Sequence, residues 1–206
     1  GLQKKPKVLV CASATGIYGD RGDEVLDENS QSGNSFLADV AADWERACRP
    51  AVEAGIRVVN ARFGIVLAPQ DGALAKMLLP AKFGGGSLGS GRQWWSWIAL
   101  DDVLGAIYHA IATEALVGPV NFVAPEPCTN QQFAATFAST LRRPALLPAP
   151  ASVLRWGLGE MADALLLCSA RVQPTKLRST RYQFRFTDLG ETLRYLLGRE
   201  RLESSE

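Results

Sequence analysis

The stretch Val8-Leu9-Val10-Cys11-Ala12-Ser13-Ala14-Thr15-Gly16-Ile17-Tyr18-Gly19 decides the fold. Its first five residues are apolar without alternation, which reads as a strand buried on both faces of a parallel sheet. Ser13 to Gly16 then breaks the run with small and hydroxylated residues, so the chain leaves the strand in a loop at its carboxyl end. In open parallel sheets that end is where ligands gather.

Working outward, an acidic loop containing glycines runs from Gly19 to Asn34, and Asn34 or Ser35 caps a helix. Phe36, Leu37, Val40, Ala41, Trp44 and Ala47 recur at helical spacing, and Gly55 ends the helix. Arg57 to Leu67 gives a second buried strand, and a turn over Pro69 to Gly72 leads to a helix over Ala73 to Lys82. Gly84-Gly85-Gly86-Ser87-Leu88-Gly89-Ser90-Gly91 reads as a flexible loop, with Trp94, Trp95 and Trp97 just after it. Asp101 caps a helix to about Ala115, Val120 to Val123 is a third short strand, and Thr129 or Asn130 caps a helix through Leu141. Such a succession of strands and helices is the rhythm of a doubly wound α/β sheet. From Pro144 the character changes. A proline-rich connector leads to an Ala/Leu-rich helical stretch, then Tyr182 to Phe186 as a strand and a final helix from Thr187.

Composition narrows the function. The 206 residues carry 22 Lys+Arg against 21 Asp+Glu, and 47% are hydrophobic, which suits a globular protein with a sizeable core. A net charge of +1 gives no electrostatic reason to expect a nucleic-acid partner. No apolar run reaches the roughly 18 residues that a membrane span needs, so no membrane partner is expected. Cys11, Cys48, Cys128 and Cys168 lie far apart and there is 1 histidine, so no metal site is expected. Buried reduced thiols fit a reducing compartment, the cytoplasm or an organelle matrix. The chain opens Gly1-Leu2-Gln3-Lys4-Lys5 without Met and enters its first strand almost at once. That reads as a fragment or processed chain, with no signal peptide before the strand.

Several segments, taken in order, resemble extended short-chain dehydrogenases. Ser13-Ala14-Thr15-Gly16-Ile17-Tyr18-Gly19 resembles their Ser/Thr-rich strand end, and Arg62-Phe63-Gly64-Ile65-Val66-Leu67-Ala68-Pro69 their later strand on the nicotinamide side. Trp97-Ile98-Ala99-Leu100-Asp101-Asp102-Val103 is similar to a helix start of that family. Gly72 to Leu78, Leu88 to Trp94 and Arg142 to Pro150 resemble a narrower subgroup of the NAD-dependent epimerase/dehydratase family. Its members end in a C-terminal domain of unknown function. They are described as nucleoside-diphosphate-sugar epimerases or, in some lineages, cell-division inhibitors. The resemblance implies a partial Rossmann-like domain over 1–143 and a small α+β subdomain over 144–206 on the substrate side. It further implies NADP or NAD as cofactor, hydride transfer on a small, nucleotide-sugar-like substrate, and a homodimer. Ala12, Ser13, Ala14, Arg62, Phe63, Gly64 and Ile65 would face the cofactor.

Two departures stand beside the match. The family's Gly-x-x-Gly-x-x-Gly turn between a first strand and helix has no counterpart here. Gly84 to Gly91 lacks that context and is expected to be a mobile lip over the cleft rather than a phosphate cradle. The family's Tyr-x-x-x-Lys proton relay is also absent. By position in the helix it falls on Phe36 and Val40, which neither donate nor tune a proton. Ser13, Thr15 and Tyr18 are therefore the catalytic candidates, with Tyr18 the leading acid; the plainer alternatives are loop capping for the hydroxyls and packing on the helix for Tyr18. Arg62 is a partner for a phosphate or carboxylate, or else an ion pair with Asp101 or Asp102. Arg92, Gln93, Trp94 and Trp97 would grip or wall a substrate, against a solvated loop and core packing. His109 reads as structural, and Glu45 as a salt bridge across its own helix. The rival to an enzyme is a catalytically degenerate scaffold or regulatory protein of the same fold, and a duller one is a fragment without stable activity.

Overall fold

Strand β3 (Arg57–Phe63) sits at the centre because it has a neighbour on each edge, and Val58 to Ala61 are all buried. The computed structural model describes residues 4–70, 72–145 and 147–199. Gly1–Gln3, Asp71 of the expected turn, Leu146 of the connector and residues 200–206 lie outside the described residues. In chain order β1 (Val8–Ala14) passes through a 3-10 turn at Thr15–Tyr18 to β2 (Val25–Leu26), α1 (Phe36–Ala47) and α2 (Arg49–Glu53), then β3. There follow β4 (Ile65–Leu67), α3 (Gly72–Lys82), β5 (Gly85–Leu88), β6 (Trp94–Trp95), β7 (Trp97–Ala99) and α4 (Leu100–Ala112). The last part holds β8 (Gly118–Phe122), β9 (Cys128–Thr129), α5 (Asn130–Leu141), β10 (Leu147–Ala149), α6 (Ala151–Leu158) and α7 (Glu160–Ala162). A π-turn at Asp163–Leu167, β11 (Arg171–Val172), α8 (Thr175–Ser179) and α9 (Leu189–Leu196) complete it.

The main sheet is parallel, in the order β1-β3-β8, with Val8 opposite Arg57 and Val59 opposite Gly118. The α/β class and parallel sheet are as the sequence suggests. Burial on both faces holds for β3 but not for β1, which is an edge among the described residues and leaves Leu9 37% exposed. The expected strand from Arg57 to Leu67 divides at Gly64. A Cβ there would stand 2.3 Å from the Ser96 carbonyl oxygen, so only glycine lets the chain bend and send β4 to pair with β7. Val59, Ile98, Ala106, Val120, Phe122 and Leu177 form one core against α4. Leu67, Leu74, Trp95, Trp97, Phe133 and Leu193 form another, reached by α3, α5 and α9.

Ser35 caps α1 by accepting from the Ala38 N–H, and Thr129 caps α5 in a reciprocal box with Gln132. Helix α1 turns a different face inward from the one its large side chains suggest. Ala38 and Ala41 are buried because small residues let the helix settle on Ile17 and Tyr18, while Phe36 is 79% and Trp44 55% exposed. The helix breaks at Cys48, and Pro50 starts α2.

Three further expectations are corrected. The glycine run is no lip: Gly85 to Leu88 is β5, paired in parallel with β10. Its glycines serve close approach, since a Cβ on Gly85 would lie 2.9 Å from the Pro80 carbonyl oxygen. Tyr182 to Phe186 alternates inward and outward but joins no ladder, because Arg185 and Phe186 donate their N–H groups to the Asp102 carboxylate, both at 2.9 Å. Asp101 is not the cap of α4; Ala99 holds that place, and Asp102 is buried to anchor the later segment. The final helix starts at Leu189, with Asp188 as its cap. β10 on β5 and β11 on β2 stitch the segment after 143 to the earlier one. Among the described residues no helix is long and apolar enough to cross a membrane.

Candidate functional site

A cavity of about 350 Å³ opens at the carboxyl ends of β1 and β3. Ala14, Thr15 and Gly16 form one wall, Phe63, Gly64 and Ile65 a second, and Leu37, Val40 and Trp44 of α1 a third. Trp94, Trp95, Ser96 and the stretch containing Ala164, Leu165, Cys168 and Ala170 complete it. The structure thus brings together Ala14, Thr15, Phe63, Gly64, Ile65 and Trp94 of the expected site residues. Thr15 Oγ1 donates to the Phe63 carbonyl oxygen at 3.3 Å, tying the two strand ends. The Ser96 hydroxyl is engaged, donating to Ala170 O at 2.8 Å and accepting from Val172 N at 2.9 Å. Burial pushes the Cys168 thiol up to about 11, so it faces the cavity as a neutral group.

Ser13, Tyr18 and Arg62 belong instead to a buried polar chain. Ser13 Oγ donates to Glu45 Oε1 at 2.8 Å, and Arg62 meets the same carboxylate through Nε at 2.7 Å and Nη2 at 2.8 Å. Arg62 Nη1 donates to Tyr18 Oη at 2.9 Å, and Tyr18 Oη donates to Asn121 Oδ1 at 2.7 Å. The Asn121 N–H then donates to Glu28 Oε1 at 3.1 Å, which also accepts from Lys176 N. Tyr18 is fully buried, and burial pushes its phenol above the ordinary value despite the Arg62 guanidinium. It is a core tyrosine that clusters with Ala41 of α1, and it is not among the residues lining the cavity. Burial pulls the Arg62 guanidinium down, but its hydrogen bonds to Glu45 and Tyr18 outweigh that and hold it above its ordinary value. Its partner is therefore Glu45, not a ligand phosphate and not Asp101 or Asp102. Glu45 does not bridge across its own helix as expected: it lies four residues after Ala41 and seven after Ala38, on the buried stripe of α1, so its carboxylate reaches Arg62 of β3. Asn121 and Glu28 carry no local signal.

The other expected site residues are dispersed. Ala12 is exposed on β1, and Arg92 is exposed outside the cavity wall. Gln93 is buried, with Nε2 donating to Leu88 O and Leu166 O, both at 3.0 Å, so it staples a loop. Trp97 is buried in the core and donates to Glu126 O at 3.1 Å. Trp94 Nε1 donates to Asp23 Oδ1 at 2.7 Å, and the Arg171 guanidinium carbon lies 4.2 Å from its ring centroid. Trp95 is buried, and its indole N–H has no acceptor among the described residues. His109 Nε2 lies 3.0 Å from Thr180 Oγ1, joining α4 to α8. No group of three or more His, Cys, Asp or Glu among the described residues is placed to hold a metal. A larger groove of about 690 Å³ lies between α5 and α9, lined by Arg142, Arg194 and Arg199 among others, but no strand end reaches it.

Residues 149–196 match the family described as a domain of unknown function (DUF1731). An epimerase family protein of Mycobacterium bovis is 45% identical over 188 residues, which is 91% of this chain and 62% of that protein. The human epimerase family protein SDR39U1 (isoform 2), solved with NADPH, is 34% identical and superposes with a TM-score of 0.90. That match covers 97% of this chain and 68% of the human one. The chain belongs to the epimerase family. A nucleoside-diphosphate sugar epimerase from Corynebacterium glutamicum, 39% identical, superposes with a TM-score of 0.78 over 96% of this chain and 39% of its own. The chain spans about three fifths of the length of the curated epimerase family proteins it matches. Its fold is accordingly Rossmann-like. Of the two positions suggested for the proton relay, Val40 lines this cavity and Phe36 points to solvent.

Proposed function

We propose that this chain supplies the nicotinamide-facing and substrate-facing walls of an NAD(P)-dependent oxidoreductase or epimerase. One observation carries the reading: the cavity opens at the carboxyl ends of two adjacent parallel strands, where open α/β sheets take their ligands. The NADPH in the human relative's structure supports the choice of cofactor. The residues present fit the ring end of such a molecule. Ala14, Thr15, Phe63, Gly64 and Ile65 would hold it, with Gly64 presenting bare backbone. They do not supply a glycine-rich turn for the pyrophosphate, because β1 runs directly into the Thr15–Tyr18 turn. A bound NAD(P) supplies hydride exchange with a carbon of the substrate.

Among the chain's own lining groups, the Thr15 hydroxyl, whose proton is held by the Phe63 carbonyl, can position a substrate hydroxyl by accepting from it. Among the described residues none of the lining side chains is a carboxylate, imidazole, amine or phenol. A proton reaches that oxygen from water. The segment 144–206 acts as the substrate-side lobe, bringing Leu165 and Cys168 to the wall, and 1–143 as the partial Rossmann-like part. A homodimer would use α1, whose Phe36 and Trp44 are exposed. The four unpaired thiols favour a reducing compartment.

The placement of Val40 and the burial of Tyr18 favour a second reading, a catalytically degenerate scaffold or regulatory protein. Calorimetric titration of NADPH and NADH separates the two. It is run on this chain and on the chain extended by any sequence encoded upstream of Gly1. Binding to either, weakened by Thr15→Ala, supports the oxidoreductase reading; no binding to either overturns it and leaves the scaffold.

A further inference from the structure

Resting on the reading that the cavity faces a nicotinamide, we propose that its second occupant is a neutral, ring-bearing carbonyl compound or the matching alcohol. A nucleoside diphosphate sugar is the poorer fit. A diphosphate asks for charge-assisted donors, arginine above all. Among the described residues no charged side chain lines the cavity. Arg62, the arginine at the strand end, is turned away and spent on Glu45. Arg92 is exposed and off the wall. The nearest cation by sequence is Arg171, beside the lining Ala170, and its guanidinium stacks on the Trp94 ring.

What does line the cavity suits a flat, uncharged molecule. Phe63, Trp94, Trp95 and Trp44 offer aromatic faces, and Val40 and Leu165 offer aliphatic ones. One neutral polar feature remains for a single oxygen. The Thr15 hydroxyl stands at the strand end with its proton on the Phe63 carbonyl, which leaves it an acceptor for a ligand hydroxyl. Size agrees. Ligand pockets start at about 300 Å³, so some 350 Å³ takes a nicotinamide ring and one small molecule.

The test is calorimetry, with tryptophan fluorescence as a second readout, on the same two chains used for NADPH. The probes are 1-tetralone, a neutral bicyclic ketone, and UDP-glucose. The expected result is 1-tetralone binding that weakens at least about tenfold in Val40→Asp and, at the half-exposed rim, in Leu165→Glu. Arg171→Gln leaves it unchanged. UDP-glucose gives no heat. UDP-glucose binding that is lost in Arg171→Gln overturns the proposal and makes Arg171 an anion anchor. NADPH binding without 1-tetralone binding overturns the proposal alone. Binding of 1-tetralone without NADPH upholds the cavity's chemistry and overturns the cofactor reading, and binding of neither overturns both.

Discussion

The phenol of Tyr18 is the middle link of a side-chain series running from Ser13 through Glu45 and Arg62 to Asn121 and Glu28. Each member is short of a partner if its neighbour is removed. Tyr18→Phe leaves Asn121 Oδ1 without its donor and Arg62 Nη1 without its acceptor, which is expected to lower stability by about 1–3 kcal/mol. Urea denaturation measures this, and NADPH affinity should not move, as a core role requires. The same tyrosine sets a limit in alkali. Its folded-state phenol titrates above 10.0, so the protonated form is the one the fold favours. That contribution is complete below the unfolded value and is lost as the pH climbs past it through the raised folded value. Denaturation curves of the wild type at pH 8 and above 10 should differ more than those of Tyr18→Phe.

At the scale of elements, the bend at Gly64 aims two strands at different partners and places the cavity between them. Gly64→Ala would put a methyl group 2.3 Å from Ser96 O and 2.8 Å from Val123 Cγ1. Since one contact is backbone, the loss should reach or exceed the ~1–3 kcal/mol of an overpacked core, read as a lowered Tm. Much of this level was legible in the sequence. The apolar runs marked β1, β3 and β8, and the pairs Asn34–Ser35 and Thr129–Asn130 marked two helix starts, because those signals are local. Others were hidden by partners distant in sequence. The inward side chains of Tyr182, Phe184 and Phe186 have a strand's period, yet a carboxylate some 80 residues away holds the backbone. Gly85 and Gly86 look mobile until β10 lies against them. Helix α1 has two apolar stripes, and only the turn at Ile17 and Tyr18 decides that the alanine stripe goes in. For the site, the strand ends were readable from β1 and β3. The wall from Ala164 to Ala170 was not, since it arrives from the far end of the chain.

Across the whole molecule, large apolar side chains remain outside. On α4, Leu104 is 62%, Tyr108 75% and Ile111 49% exposed, in one stripe, and α1 adds Phe36 and Trp44. Patches of this kind mark surfaces that associate. The chain is expected to self-associate as its concentration rises, and Leu104→Gln with Tyr108→Gln should shift light scattering toward the monomer. The open edge of the sheet has a subtler result. Arg57 N–H donates to Lys7 O at 3.2 Å, and parallel-ladder parity then turns the amides of Leu9, Cys11 and Ser13 toward β3. Those of Val8, Val10 and Ala12 point the other way. In heavy water β1 is therefore a two-speed clock, alternate amides taking up deuterium at once while their neighbours wait for the strand to open. If another strand were to settle on that edge, the fast amides would slow, reporting its arrival residue by residue.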